Sequence, residues 1–368
     1  MSASTSARAS RCASADAACS GAFCPRSRRA AIFPPHSPRR IPPVSFRGIL
    51  SLAIEIIEGM NFPDDLLAML LTTDQLLSRG MTSHTVRGAV ESGELIRLRP
   101  GFFVDGRARE LQRRDRHLLA VLAADIALDA PVFSHSSAAL IHGLPDWGLP
   151  LRKVTVCEEG PEPRTRSSAL TTFRSVPELS GHLMTVDGLR VTTPARTVTD
   201  IAMSTNRDTS VPTADAALHN EIVTREALDG ALDGAAGRRG IRRARHKMSL
   251  VDGRSESVAE TLSRLIFRDF GLPEPETQVE IRNPRGVLIA RVDFLWSEYG
   301  VIGECDGFGK YFDGLTPAET RRRLGKEKDR DAELMALCYR VLHWRWRDLE
   351  EPHALATRIK RVLRHAAA

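Results

Sequence analysis

Two apolar runs late in the chain, VLIARVDFLW (287–296) and VIGECD (301–306), are separated only by SEYG. A connection this short leaves an antiparallel hairpin, because a parallel crossover needs about a dozen residues or more. The hairpin carries acids inside apolar sequence: Asp293 lies between Val292 and Phe294, and Glu304 and Asp306 sit at i and i+2. Residues two apart on a strand share a face. Carboxylates among apolar neighbours are costly unless they are paired or hold a cation. This pair of strands therefore constrains both a sheet and a candidate site. The stretch GECDGFGK (303–310) is not a phosphate loop, since Lys310 is followed by Tyr311 and Glu304 stands where the first glycine is needed.

The flanking sequence predicts a helix over SESVAETLSRLIFRDFG and a strand over TQVEI before the hairpin. After it come a long charged helix, TPAETRRRLGKEKDRDAELMAL, a strand YRVLHW and a last helix, HALATRIKRVLRHA. The order α-β-β-β-α-β describes a compact α/β domain over 255–368. Its first helix brings Glu256 and Glu260 at i and i+4. Converging carboxylate oxygens suit Mg²⁺ or Mn²⁺, and a metal there could activate water against a phosphodiester. The alternative is an acid set exposed at the strand ends and solvated.

The blocks RVDFLWSEYGVIGECDG, EKDRDAEL and YRVLHWRWRDL together resemble the very-short-patch-repair-like branch of the restriction-endonuclease superfamily, over about residues 255–366. The resemblance implies a restriction-endonuclease-like mixed sheet flanked by helices and metal-dependent cleavage of DNA. It places Asp293 and Glu304 on the metal, with Asp306 as a further ligand and Glu260 as the acid of the first helix. Lys310 or Lys326 would stabilise the transition-state charge, with Arg330 as another source of a cation. The superfamily pattern ends in acid-x-Lys, whereas this chain has Glu304-Cys305-Asp306. Two readings follow: a nuclease with an altered site, or a degenerate, non-catalytic domain.

Between 61 and 106 the sequence predicts a short helix over DDLLAMLL, a helix TDQLLSRG capped by Thr72 or Thr73, and a helix SHTVRGAVESG capped by Thr82 or Ser83. Gly80 and Gly93 stop the last two. LIRL, the turn RPG and FFVD then read as a hairpin. Helix, turn, helix and wing is the outline of a winged helix-turn-helix. LLTTDQLLSRGMTSHTVRGAVESGELIRLRPGFFVD also resembles the winged helix of abortive-infection (AbiEi-like) antitoxins. FSHSSAALIHGLP and VTTPARTVTDIA resemble the region that follows it, for a span of about 66–205. That likeness implies binding to double-stranded DNA, with Ser83, His84 and Arg87 in the groove and Arg97 and Arg99 on phosphates. It also implies a toxin partner or a homodimer. A winged helix used for protein contacts is the competing reading.

Residues 107–250 read as a mixed α/β region, with strands KVTVCE, LTTFRSV and LRVTT and helices on either side. His135 and His142 are seven apart on one helix, but no acid or cysteine completes a metal set, so packing or capping explains them better. In HWRWRDL the tryptophans are expected in the core.

Composition narrows the rest. The 368 residues carry 27% charged side chains and a net charge of +6, which favours an anionic partner. Six cysteines without a CxxC pair point to neither zinc nor a disulfide framework and fit a cytoplasmic protein. No run reaches the roughly 18 apolar residues of a membrane span. Residues 1–58, with eight arginines and no lysine, lack an amphipathic period and read as a disordered or mis-called extension, with Met60 as an alternative start. A transit peptide has a similar composition. The expectation is a multidomain α/β DNA-binding protein with a metal-dependent endonuclease domain. Its alternative is a non-catalytic antitoxin-like regulator.

Overall fold

The computed structural model describes residues 64–306 and 317–366, a mixed α/β architecture with three sheets and helices packed against them. The extension at 1–58, and Lys310 in the loop after the acid-bearing hairpin, lie outside the described residues.

The first unit begins with α1 (Asp64–Met69), which ends earlier than the apolar run DDLLAMLL suggests. Leu70–Thr72 instead forms β1, the third strand of a small sheet in the order β1-β3-β2, with β2 at Leu95–Arg99 and β3 at Phe102–Asp105. A short apolar run cannot be assigned to helix or strand by period alone, and pairing with Phe102–Val104 decides it. Between β1 and β2 lie α2 (Thr73–Ser78) and α3 (Ser83–Ser92). Each has a reciprocal capping box, from Thr72 with Gln75 and from Thr82 with Thr85. Helix α3 ends at Gly93 in the left-handed region, φ 83°, where an added Cβ would strike the Arg109 guanidinium that bonds the Gly93 carbonyl. One face of the sheet packs Leu95 and Phe103 against Leu76, Val86 and Ala89 of α2 and α3. Val104, Ile96 and Leu98 pack against Leu66 of α1 and Leu119 of α4 (Arg113–Ala127).

A six-stranded mixed sheet follows: β4 (Val132–Phe133), β5 (Val154–Glu159), β6 (Arg164–Ser167), β7 (Thr171–Val176), β8 (Leu183–Val186) and β9 (Leu189–Thr192), in the order β6-β7-β5-β4-β9-β8. The outer strand β6 is exposed along its whole length and so leaves little apolar signal in the sequence, while β8 is four residues long with none of them buried. Helix α5 (His135–Ile141) and the helices α6 (Pro194–Ser204), α7 (Arg207–His219), α8 (Arg225–Gly234) and α9 (Ile241–Met248) share one large apolar core with the sheet. Asp200 of α6 is fully buried and accepts from Arg196 at 2.8 Å and Arg238 at 3.2 Å, which fixes the loop entering α9.

The last unit runs α10 (Val258–Asp269), β10 (Glu276–Arg282), β11 (Leu288–Trp296), β12 (Val301–Asp306), α11 (Pro317–Ala336), β13 (Arg340–Arg345), α12 (Trp346–Leu349) and α13 (Pro352–Ala366). Its sheet has the order β10-β11-β12-β13, antiparallel except for the parallel pair β12–β13. Phe267, Phe294, Trp296 and Trp344 interlock as its aromatic core, and Trp344 donates to Ser263 at 2.8 Å. Trp346 leaves the strand: it opens α12 and packs edge-on against Trp147 of the middle region, with ring centroids 4.7 Å apart. No helix among the described residues is long and apolar enough to cross a membrane.

Candidate nucleic-acid interface and an acid cluster

The exposed face of α3 carries Ser83, His84 and Arg87, while Val86 and Ala89 on the other side are buried. Among the described residues no side-chain hydrogen bond or ion pair engages His84 or Arg87 in the same chain, so both are available to a partner. Arg97 is exposed and Arg99 half-buried on β2, an edge strand of the small sheet. Desolvation holds the Arg99 guanidinium below its usual value.

Arg97 and Arg99 do not stand alone. They line a cleft of about 460 Å³ together with Arg113 and Arg116 of α4 and Arg152 just before β5. Nothing in the local pattern of α4 or β5 marks these three arginines as related to the hairpin. Only the packing of α4 against β2 and β5 brings them there. His117 supplies that packing. Its Nδ1 donates to the Leu151 carbonyl at 2.9 Å, and its Nε2 accepts from Ser137 at 2.9 Å, while Ser137 Oγ accepts from the Thr155 amide. Burial lowers the His117 pKa, so the ring is a neutral strut between the two walls.

The acids at the C-terminal hairpin come together as the register requires. One step along from the Phe294–Gly303 pair, Asp293 comes level with Glu304, and its Oδ2 accepts the Cys305 amide at 2.8 Å. Glu304 is buried, and its Oε2 accepts from Arg330 at 2.7 Å. Burial raises its pKa against the opposing pull of Arg330. Its other oxygen, Oε1, is buried with no hydrogen-bond partner among the described residues. Asp306 lies 3.6 Å from His343, whose other ring nitrogen is 3.2 Å from Asp331. Asp306, first, and then Glu304 and Asp331 lift the His343 pKa to about 9 against the burial that opposes them.

Glu260 is placed by a different demand. Ser257 caps α10 and accepts the Glu260 amide, while the Glu260 carboxylate accepts the Ser257 hydroxyl at 2.7 Å and the Glu256 amide at 2.9 Å. It also accepts from Gln278 at 2.8 Å. Its first assignment is therefore helix capping. Glu256 pairs with Arg291 across to β11. Lys326 falls within α11, and its side chain lies outside the described residues. Among the described residues no three His, Cys, Asp or Glu side chains assemble as a donor set for a metal ion. Glu304 is engaged by Arg330 and Asp306 faces His343.

The middle region places the chain. Residues 134–250, from Ser134 at the start of α5 to Leu250 after α9, match the family model of the AbiEi antitoxin C-terminal domain. An α/β domain similar to that antitoxin domain thus lies behind a small helical and β-hairpin unit. Of the likeness expected over 66–205, strongest at its start, residues 134–205 fall within this match, which continues to Leu250. Two curated Mycobacterium tuberculosis proteins, uncharacterized protein Rv2248 of strain H37Rv and uncharacterized protein MT2308 of strain CDC 1551, are each 31% identical to it over 287 residues, which is 78% of this chain and 98% of theirs. The chain belongs to their family.

Proposed function

We propose that the chain is a DNA-binding regulator of the antitoxin type, in which α2, α3 and the β2–β3 hairpin act as a winged helix. One observation carries the reading. A helix held by its own capping box presents His84 and Arg87, without intramolecular partners, beside a hairpin whose arginines face no acid among the described residues. Guanidinium forks and imidazoles reaching from a helix suit base edges, and arginines on the wing suit phosphates. The antitoxin-type domain that follows supports a regulatory role, with a toxin or a second copy of the chain as its partner. Replacing Arg87 by Ala should weaken binding to a duplex selected from a random pool by about 1–3 kcal/mol. Undiminished affinity and selectivity in a fluorescence anisotropy titration would remove α3 as the reading element.

A second reading keeps the C-terminal unit as an endonuclease. It is favoured by the buried, unpartnered Glu304 Oε1 level with Asp293. Nicking of supercoiled plasmid that needs Mg²⁺ or Mn²⁺ and disappears on Asp293→Ala would establish it. No nicking with either ion leaves the regulator alone.

A further inference from the structure

Where the segment after α9 meets the C-terminal unit there is a cavity of about 180 Å³. Leu250, Leu265, Phe267 and Leu272, all buried, give it an apolar wall.

Three polar groups line this cavity without a side-chain bond of their own. Thr277 pairs with Phe294 across β10 and β11, and directly opposed residues share a face, so its side chain turns toward the aromatic core. It is 8% exposed, and its hydroxyl has no hydrogen-bond partner among the described residues. Most buried hydroxyls find one. Arg268, in the last turn of α10, and Glu274, in the loop before β10, are exposed at the cavity. Neither side chain makes a hydrogen bond or an ion pair among the described residues. The other charges there are engaged. Arg254 forks onto Asp252 at 2.9 Å and 3.0 Å, and Arg264 bonds Ser255, the Leu250 carbonyl and Asp215.

Among the described residues the cavity thus offers a free guanidinium, a free carboxylate and a buried hydroxyl beside an apolar wall. That combination selects a ligand. A guanidinium fork takes a carboxylate in bidentate fashion, and a carboxylate takes an ammonium. The hydroxyl, donor and acceptor at once, satisfies a further polar atom of the same headgroup. A purely apolar guest would leave all three unpaired, and an inorganic anion would gain nothing from the wall. Size limits the rest. A cavity of about 150 Å³ walled by leucine, isoleucine and phenylalanine takes up benzene, so a side chain of leucine or phenylalanine size fits here.

We infer that the cavity binds a free α-amino acid with an apolar side chain. Its carboxylate sits on Arg268, its ammonium on Glu274, and its side chain against Leu250, Leu265, Phe267 and Leu272. Leu250 closes the antitoxin-like region, whereas the other three belong to the C-terminal unit. The ligand therefore bridges the two and stabilises the folded chain. The inference stands apart from the DNA-binding reading.

Isothermal calorimetry and thermal melts of the full chain with L-leucine or L-phenylalanine test it. Wild type should bind at least one of them and melt higher in its presence. Arg268→Gln and Glu274→Gln should each weaken binding about tenfold, as expected for losing a hydrogen bond to a charged group. Both positions are exposed, so the ligand-free variants should melt with wild type. Isocaproate and isopentylamine, which are leucine without its ammonium and without its carboxylate, should both bind more weakly than leucine. No heat and no shift with either amino acid at millimolar concentration would overturn the inference. So would binding that both variants retain in full, because the ligand would then sit elsewhere. Isocaproate bound as tightly as leucine, and unaffected by Glu274→Gln, would make the cavity a simple carboxylate site and overturn the amino-acid assignment.

Discussion

At the scale of single residues, Asp215 of α7 shows how burial overrides a salt bridge. Its carboxylate is almost wholly buried, accepts from Thr261 at 2.7 Å and Arg264 at 2.6 Å, and also accepts the Asp252 amide at 2.7 Å. Desolvation nevertheless lifts its pKa to about 6, above the ordinary carboxylate value. The folded chain therefore holds this proton where the unfolded chain has lost it. Between roughly pH 4 and pH 6 the native state binds more protons, so stability contributed here falls as pH rises through that window and is level above it. Asp215→Asn should flatten that part of the stability–pH curve measured by urea denaturation. An unchanged slope would show that Asp215 titrates normally. The same scale explains which site residues the sequence made legible. Asp293 level with Glu304 follows from strand alternation and a four-residue turn. That Arg330 and His343 would hold Glu304 and Asp306 does not follow, because both partners come from elements with no local link to the hairpin.

At the scale of elements, the short local devices were readable because they are written in adjacent residues. The Thr72 and Thr82 caps, the Gly93 stop and the β2–β3 turn need no tertiary information. Strands β1, β6 and β8 do need it: β6 faces solvent along its length, β8 is four residues with none buried, and β1 is three residues of an apolar run that a helix could equally have used. Inside the last sheet, packing sets a demand that composition alone does not reveal. A Cβ added at Gly303 would lie 2.5 Å and 2.7 Å from Trp344 ring carbons and 3.0 Å from Trp296. Those rings are buried and wedged against Phe267 and Phe294, so they cannot swing away. Gly303→Ala should cost about 1–3 kcal/mol through overpacking. Because tryptophan fluorescence reports this core directly, a denaturation midpoint equal to wild type would mean the rings yield more easily than their packing indicates.

At the scale of the whole molecule, the antitoxin-type region and the C-terminal unit are joined by a seam rather than a linker. Helix α7 packs on α10 through Val211, Leu250 and Leu265, with Val251 and Leu262 alongside. Polar contacts border that apolar seam: the two-pronged pairing of Arg207 with Asp269 at 2.6 Å and 2.7 Å, and the Asp215–Arg264 bridge. The exposed Arg207–Asp269 pair contributes little on its own, about 0–1 kcal/mol. The buried apolar contact is the stronger tie, and it makes one cooperative unfolding step the expectation. Leu265 is 2% exposed and sits at the centre of the seam. Its replacement by Ala should cost about 2–5 kcal/mol. Because that loss falls on the contact between units, it should also part the tryptophan transition, dominated by Trp296, Trp344 and Trp346, from the helical signal carried by both units. Coincident midpoints by fluorescence and far-ultraviolet circular dichroism in Leu265→Ala would mean that contacts outside this seam couple the two halves.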